Sequence, residues 1–193
     1  MRYEHEITCR IVPDNTPLII RHCSKCNKSM EFYCSEKFRV NSNGARSDIW
    51  LIYKCTKCDS TWKATIAKGI KPNDLPPDKF DRFTHNDPDL AWEYAFNRSF
   101  LKQQSCGIDY SGVKYRVEGA ENLKFPLLLR MRCDYDFDLK LSKFLAGVLG
   151  VSVGQVKKLA KAGAIKTVPE CDVLRCKIRG DVMCAIQATS ENL

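Results

Sequence analysis

The chain has 193 residues, with 31 Lys and Arg against 23 Asp and Glu, a formal net charge of +8, eleven cysteines and three histidines. Apolar residues at 44% and aromatics at 10% supply a core, which excludes a disordered chain. No run of about 18 apolar residues occurs, so the composition predicts no membrane partner. The start, Met1-Arg2-Tyr3-Glu4-His5-Glu6, carries acids where a signal peptide has a basic and then apolar stretch. The sequence therefore reads as cytoplasmic, where thiols stay reduced, and the cysteines need an explanation other than disulfides.

Residues 6–12 and 17–21 read as short strands around the turn residues Pro13, Asp14 and Asn15. Residues 38–40 lead into the turn signal Asn41-Ser42-Asn43-Gly44, and 49–53 form the next strand. Residues 61–66 follow, with Trp62, Ala64 and Ile66 on one face by the period of two. Residues 1–70 thus predict an antiparallel β domain carrying +5 of the charge.

Residues 71–133 read as a linker rich in Pro72, Pro76 and Pro77, then a helix and strands, with a balance of +1. Asp87-Pro88 offers a cap and a proline at the first helical position. Trp92, Phe96 and Phe100 then recur every four residues, which predicts one helix over 88–103 ending before Gly107. Strands are expected over 113–117 and 125–132.

Residues 134–193, at +2, predict a helix from Leu141, Phe144, Leu145, Val148 and Leu149, with Asp134, Asp136 and Asp138 at its start. Ser152 and Gln155 form a capping box that opens a second helix, which Gly163 ends. Short β pieces are expected over 164–168, 173–178 and 182–186. The fold class expected from these elements is α+β: an antiparallel β zinc ribbon over 1–70, a mixed α/β region over 71–133, and a small two-helix plus β-hairpin module over 134–193.

Cys23-Ser24-Lys25-Cys26 and Cys55-Thr56-Lys57-Cys58 are two Cys-x2-Cys pairs separated by 28 residues. Two residues between cysteines make a tight turn that aims both sulfurs at one ion, and four soft ligands are what Zn²⁺ takes in a tetrahedral site. The pattern predicts one structural Zn²⁺ per chain on Cys23, Cys26, Cys55 and Cys58. The alternative is that one pair is a redox dithiol. A zinc with four thiolates carries a charge of about −2, which brings the chain to about +6. Cys34 and the remaining cysteines, Cys9, Cys106, Cys133, Cys171, Cys176 and Cys184, show no ligand spacing and read as packing. Lys25 and Lys57 either balance the thiolates or face a phosphate.

Two resemblances are carried by longer stretches. Ile19-Ile20-Arg21-His22-Cys23-x2-Cys26, Phe38-Arg39-Val40-Asn41, Asp48-Ile49-Trp50-Leu51-Ile52-Tyr53-Lys54-Cys55 and Asn86-Asp87-Pro88-x2-Ala91-Trp92 resemble the bacterial family called domain of unknown function 1062. That resemblance implies a cytosolic bacterial protein and supplies no activity. Lys140-Leu141-Ser142-Lys143-Phe144-Leu145, Leu149-Gly150-Val151-Ser152, Leu159-x3-Gly163 and Gly180-Asp181-Val182 resemble the alpha-L RNA-binding module of the fourth small-subunit ribosomal protein. Lys140 and Val153 stand where that module has arginines, and Ser142 where it has an aspartate. A lysine cannot reproduce the bidentate phosphate contact of an arginine. The module implies binding to RNA or a ribonucleoprotein through Lys140, Lys143, Lys157, Lys158, Lys161 and Lys166.

No phosphate-binding loop, dinucleotide-binding glycine pattern or serine nucleophile elbow occurs. His5, His22 and His85 lie far apart and in no zinc-protease pattern. The leading expectation is a zinc protein that binds RNA or a ribonucleoprotein. A protein-interaction adaptor using the Trp92, Phe96 and Phe100 helix is the alternative. An enzyme with a site around Arg82, His85 and Trp92 is the second alternative.

Overall fold

A computed structural model describes residues 5–187, so residues 1–4 of the acidic start and residues 188–193 of the expected terminal module lie outside it. The chain divides into two compact units, residues 15–113 and residues 1–14 with 114–193.

The 15–113 unit holds five strands and three helices. Leu18–Cys23 (β2), Lys28–Asn43 (β3), Arg46–Cys55 (β4) and Thr61–Ile70 (β5) follow one another as an antiparallel meander. The short strand Gly107–Asp109 (β6) pairs with β2 and completes the order β5-β4-β3-β2-β6. Alternation sets the buried face: Ser47, Ile49, Leu51, Tyr53 and Cys55 of β4 are buried, while the residues between them are half-buried. Between Cys34 and Lys37 the register slips, and Glu36 takes a positive φ of 57°. The slip aims the Glu36 carboxylate at α2, Pro88–Phe96, where it accepts a 2.6 Å bond from Trp92 Nε1.

Helices Lys79–Thr84 (α1), α2 and Arg98–Gln103 (α3) cover the buried face. Phe83 stacks edge-on to Phe38 at 5.0 Å, and Leu90, Ala91, Ala95 and Leu101 close the core around them. Asn86 Oδ1 accepts from Phe38 N at 2.7 Å and ties the α1–α2 turn to β3. The single helix expected over 88–103 is two helices. Asn97 leaves the helical conformation at φ −74°, ψ 98°, and its side chain accepts from Phe100 N, capping α3. The expected linker is also structured, with a 3-10 turn at Pro72–Asp74 and α1 after it.

The other unit contains His5–Pro13 (β1), Tyr115–Glu118 (β7), Leu127–Cys133 (β8), Ile165–Val168 (β9) and Gly180–Ile186 (β10) in the order β7-β1-β8-β10-β9. β1 runs parallel to β8 and antiparallel to β7, and the remaining pairs are antiparallel. Leu141–Leu149 (α4) and Val153–Lys161 (α5) pack on one another. The capping box on Ser152 and Gln155 opens α5, and Gly150 closes α4 at φ +66°. Asp134, Asp136 and Asp138 do not start α4. They pair with Arg10 at 2.6 Å, Arg179 at 3.2 Å and Lys177 at 2.9 Å. Residues 173–178 are not a strand either: Arg175 N and Cys176 N both donate to Asp172 O in a turn.

The expected α+β fold class, a β zinc ribbon followed by a mixed α/β region and a two-helix plus β-hairpin module, is therefore overturned. The molecule is mostly β, with two five-stranded sheets and short helices among the described residues. The reason is long-range pairing. The strand at residues 5–13 joins strands more than a hundred residues away, and the terminal strands join a five-stranded sheet instead of forming a lone hairpin. No helix among the described residues is long and apolar enough to cross a membrane.

Candidate metal centre

The meander carries the two Cys-x2-Cys turns to one end of its sheet. β2 ends at Cys23, directly opposite Lys28 of β3, so residues 24–27 are the β2–β3 turn. β4 ends at Cys55, opposite Phe32, and residues 56–60 are the β4–β5 turn. One antiparallel hairpin lies between the turns, so the second returns beside the first. The four Sγ atoms all lie within 4.8 Å of one another. The short distances cross between turns: Cys23 to Cys58 is 3.6 Å and Cys26 to Cys55 is 4.0 Å. Such a group can hold a metal ion. Cys23 and Cys55, at the strand ends, are buried, and Cys26 and Cys58 are half-buried.

The two turns are built alike. Each second cysteine is followed by a residue with positive φ, Asn27 at 52° and Asp59 at 56°. Asn and Asp accept the left-handed region more readily than other non-glycine residues. Asp59 N donates to Cys55 O, and Cys55 N donates to Ser60 O, each at 3.0 Å. The Asp59 carboxylate accepts from Tyr33 Oη at 2.9 Å and Lys54 Nζ at 3.0 Å. Those two donors hold Asp59 below the usual carboxylate range, the lysine contributing more.

Ser60 is the residue that spacing arguments missed. Its hydroxyl lies 3.1 Å from Cys58 Sγ and 3.3 Å from Cys23 Sγ, within hydrogen-bond reach of both. That hydroxyl is the main cause that lowers both thiols, bringing Cys23 down to about 6. The Cys26 amide adds to the effect at Cys23, and the Ser60 amide at Cys58. Cys26 moves the opposite way, because its own proton is held by Cys58 and burial opposes its charge. One thiol pushed up beside two pulled down is the pattern expected of close sulfurs sharing charge. The only local signal for Ser60 was its place two residues after the last cysteine.

The other expected sites are placed differently. His22, Lys25 and Lys57 are exposed, and His22 is not among the four. Lys140 precedes α4, Lys143 lies on α4, Lys157, Lys158 and Lys161 on α5, and Lys166 on β9, all exposed. Of these, Lys161 and Lys166 line one cavity of about 350 Å³, together with Glu170, Cys171 and Asp172. Arg82, His85 and Trp92 each make contacts of their own. Arg82 pairs with Asp87 at 2.9 Å and Glu93 at 3.3 Å, His85 Nδ1 lies 2.9 Å from Asp81 O, and Trp92 bonds Glu36. Cys9, Cys34, Cys133 and Cys184 are buried, and Cys106, Cys171 and Cys176 half-buried.

No curated protein and no solved structure matches the chain. A family model described as "Protein of unknown function (DUF1062)" matches residues 40–170, which include the second cysteine pair, the three helices after it and most of the second sheet's unit. The chain belongs to the DUF1062 family.

Proposed function

We propose that the chain is a zinc protein whose single Zn²⁺, held by Cys23, Cys26, Cys55 and Cys58, fastens one end of the 15–113 sheet. The observation that supports it is the sulfur spacing. With Zn–S bonds of about 2.3 Å, the edge of a tetrahedral site is about 3.8 Å. The four sulfurs stand at 3.6 and 4.0 Å across the turns and within 4.8 Å throughout. Four thiolates suit zinc among the divalent metals, and calcium or magnesium would call for oxygens. All four positions belong to the protein, so the ion is structural and presents no site for a bound water. Ser60 orients two of the sulfurs and spreads their charge. The test is metal analysis of purified protein, which should give about one zinc per chain, lost in Cys55→Ser. A protein that folds with no metal, or a Cys55→Ser variant that keeps its zinc, would overturn the reading.

A second reading concerns a partner. RNA or a ribonucleoprotein would bind at Lys140, Lys143, Lys157, Lys158, Lys161 and Lys166. It is favoured by the exposure of Lys157 and Lys161 one turn apart on α5 and by the cavity that Lys161 shares with Lys166. Anisotropy with a structured RNA hairpin tests it: Lys157→Glu/Lys161→Glu should weaken binding and flatten its salt dependence. Unchanged binding in that variant would remove it.

A further inference from the structure

The sheet of the 15–113 unit has two unlike faces. One carries Ile49, Leu51, Tyr53 and Cys55 and packs into the core with Phe83, Leu90 and Leu101. The alternate residues of β4, Asp48, Trp50, Ile52 and Lys54, lie on the opposite face. Register adds their neighbours. On β3, Arg39 stands across from Trp50, Lys37 from Ile52 and Tyr33 from Lys54. On β5, Thr65 stands across from Trp50 and Lys63 from Ile52. Lys37, Arg39, Lys63 and Tyr33 are exposed, the tyrosine at 38%. Trp50 and Ile52 are half-buried and belong to no part of this unit's core.

Charge on this face is one-sided at its centre. Lys37, Arg39 and Lys63 surround the Trp50–Ile52 pair, and Lys63 Nζ sits 5.5 Å from the Trp50 ring centre. The nearby acids are engaged. Asp48 accepts from Gly69 N at 2.7 Å, and Asp59 accepts from Tyr33 and Lys54. Glu31 lies on the far side of Tyr33, across from Ile20. Protein–protein interface cores are depleted in lysine, whereas a row of cations around aromatic rings fits a chain of phosphates with planar groups between them. A duplex hides its base faces, so the rings suit an unpaired strand.

We infer that this face of the sheet binds single-stranded nucleic acid, with phosphates on Lys37, Arg39 and Lys63 and a base stacked on Trp50. Tyr33 offers a second ring about 13 Å further along the strand direction, four residues at the usual rise. Its hydroxyl is pinned by Asp59, so the ring is already oriented. The inference goes beyond the zinc reading and uses residues separate from the α5 lysines.

The experiment is fluorescence anisotropy of the full, zinc-assayed chain with a labelled oligothymidylate or oligouridylate of about 20 nucleotides, a length that exceeds one site. Three phosphate contacts predict a log–log salt slope of about −2 and roughly a 20-fold loss of affinity between about 50 and 200 mM salt. Trp50→Ala should weaken binding by about fivefold to a hundredfold, the range of one stacked base. Lys37→Glu/Lys63→Glu, which alters only exposed side chains, should bring the slope towards about −0.7. Lys102→Glu, an exposed position on α3 on the helix-covered side of the sheet, should leave this oligonucleotide bound within about twofold, since surface changes away from a site do little. A zinc-replete sample that fails to bind at about 50 mM salt would overturn the inference and leave the metal reading standing. A metal-free sample that binds would do the reverse. Equal binding to a duplex, displacement by polyglutamate at equal charge, or loss in the α5 variant with none in the sheet variants would each overturn it.

Discussion

Replacing Ser60 by alanine tests how the metal centre is held. The substitution removes one hydroxyl that stands 3.1 Å from Cys58 Sγ and 3.3 Å from Cys23 Sγ. A hydrogen bond to a charged group contributes about 1.5–3 kcal/mol, and loss of a partner that orients metal ligands weakens metal affinity by about 10–100-fold. Zinc affinity of Ser60→Ala at neutral pH should fall within that range. The hydroxyl is also the main reason that Cys23 titrates near 6. A thiol with a depressed folded value is stabilised as thiolate above its unfolded value of about 8.5, and that contribution is lost as pH falls through the folded value. Protons compete with metal for the thiolates, and Cys26 holds one at neutral pH, so wild-type zinc binding should weaken as pH falls and more steeply once Cys23 also protonates, through about 6. In Ser60→Ala the steeper fall should begin at higher pH. Competition with a chromophoric chelator across this pH range measures both effects, and Ser60→Thr should restore them. Affinity within about twofold of wild type in Ser60→Ala, or an equal fall in Ser60→Thr, would refute the assignment of the hydroxyl to the thiolates.

Three other substitutions test the frame around the site. Asp87→Ala removes the cap that accepts from Leu90 N at 2.9 Å and should cost about 1 kcal/mol in urea unfolding at neutral pH. Arg82 holds Asp87 below its ordinary value, so the cost should persist above about pH 3.9 and fade as pH drops through the lower folded value. Phe83→Ala empties a site that is 1% exposed against Phe38 and should cost about 3–5 kcal/mol, read as a lower denaturant midpoint at unchanged slope. Gly119→Ala places a Cβ 2.8 Å from Thr8 O at φ +80° and should cost about 1–3 kcal/mol in the same assay. Gly112→Ala, where a Cβ meets nothing within 4 Å, should stay within about 0.5 kcal/mol.

Local chemistry was the legible part of this sequence. The two Cys-x2-Cys turns, the Ser152–Gln155 box and the Asp87 cap each complete their geometry within a few residues, and all are present as short-range structure. Pairing across long loops leaves no local mark. Nothing near residues 5–13 shows that their partners are 115–118 and 127–133, so the strand read as part of the cysteine-bearing sheet. The acids at 134, 136 and 138 suit a helix start by position, but Arg10, Arg179 and Lys177 reach them first through the tertiary fold. The four-residue period of Trp92, Phe96 and Phe100 runs through Asn97, whose side chain competes for the backbone and restarts the helix. Ser60 was invisible because its role depends on two sulfurs brought together from separate turns.

X-ray absorption at the zinc edge of the purified chain tests the central claim most directly. A single shell of four sulfurs at about 2.3 Å is the predicted result, one from each of Cys23, Cys26, Cys55 and Cys58. A shell containing nitrogen or oxygen, fewer than four sulfurs, or a protein that carries no zinc would contradict it.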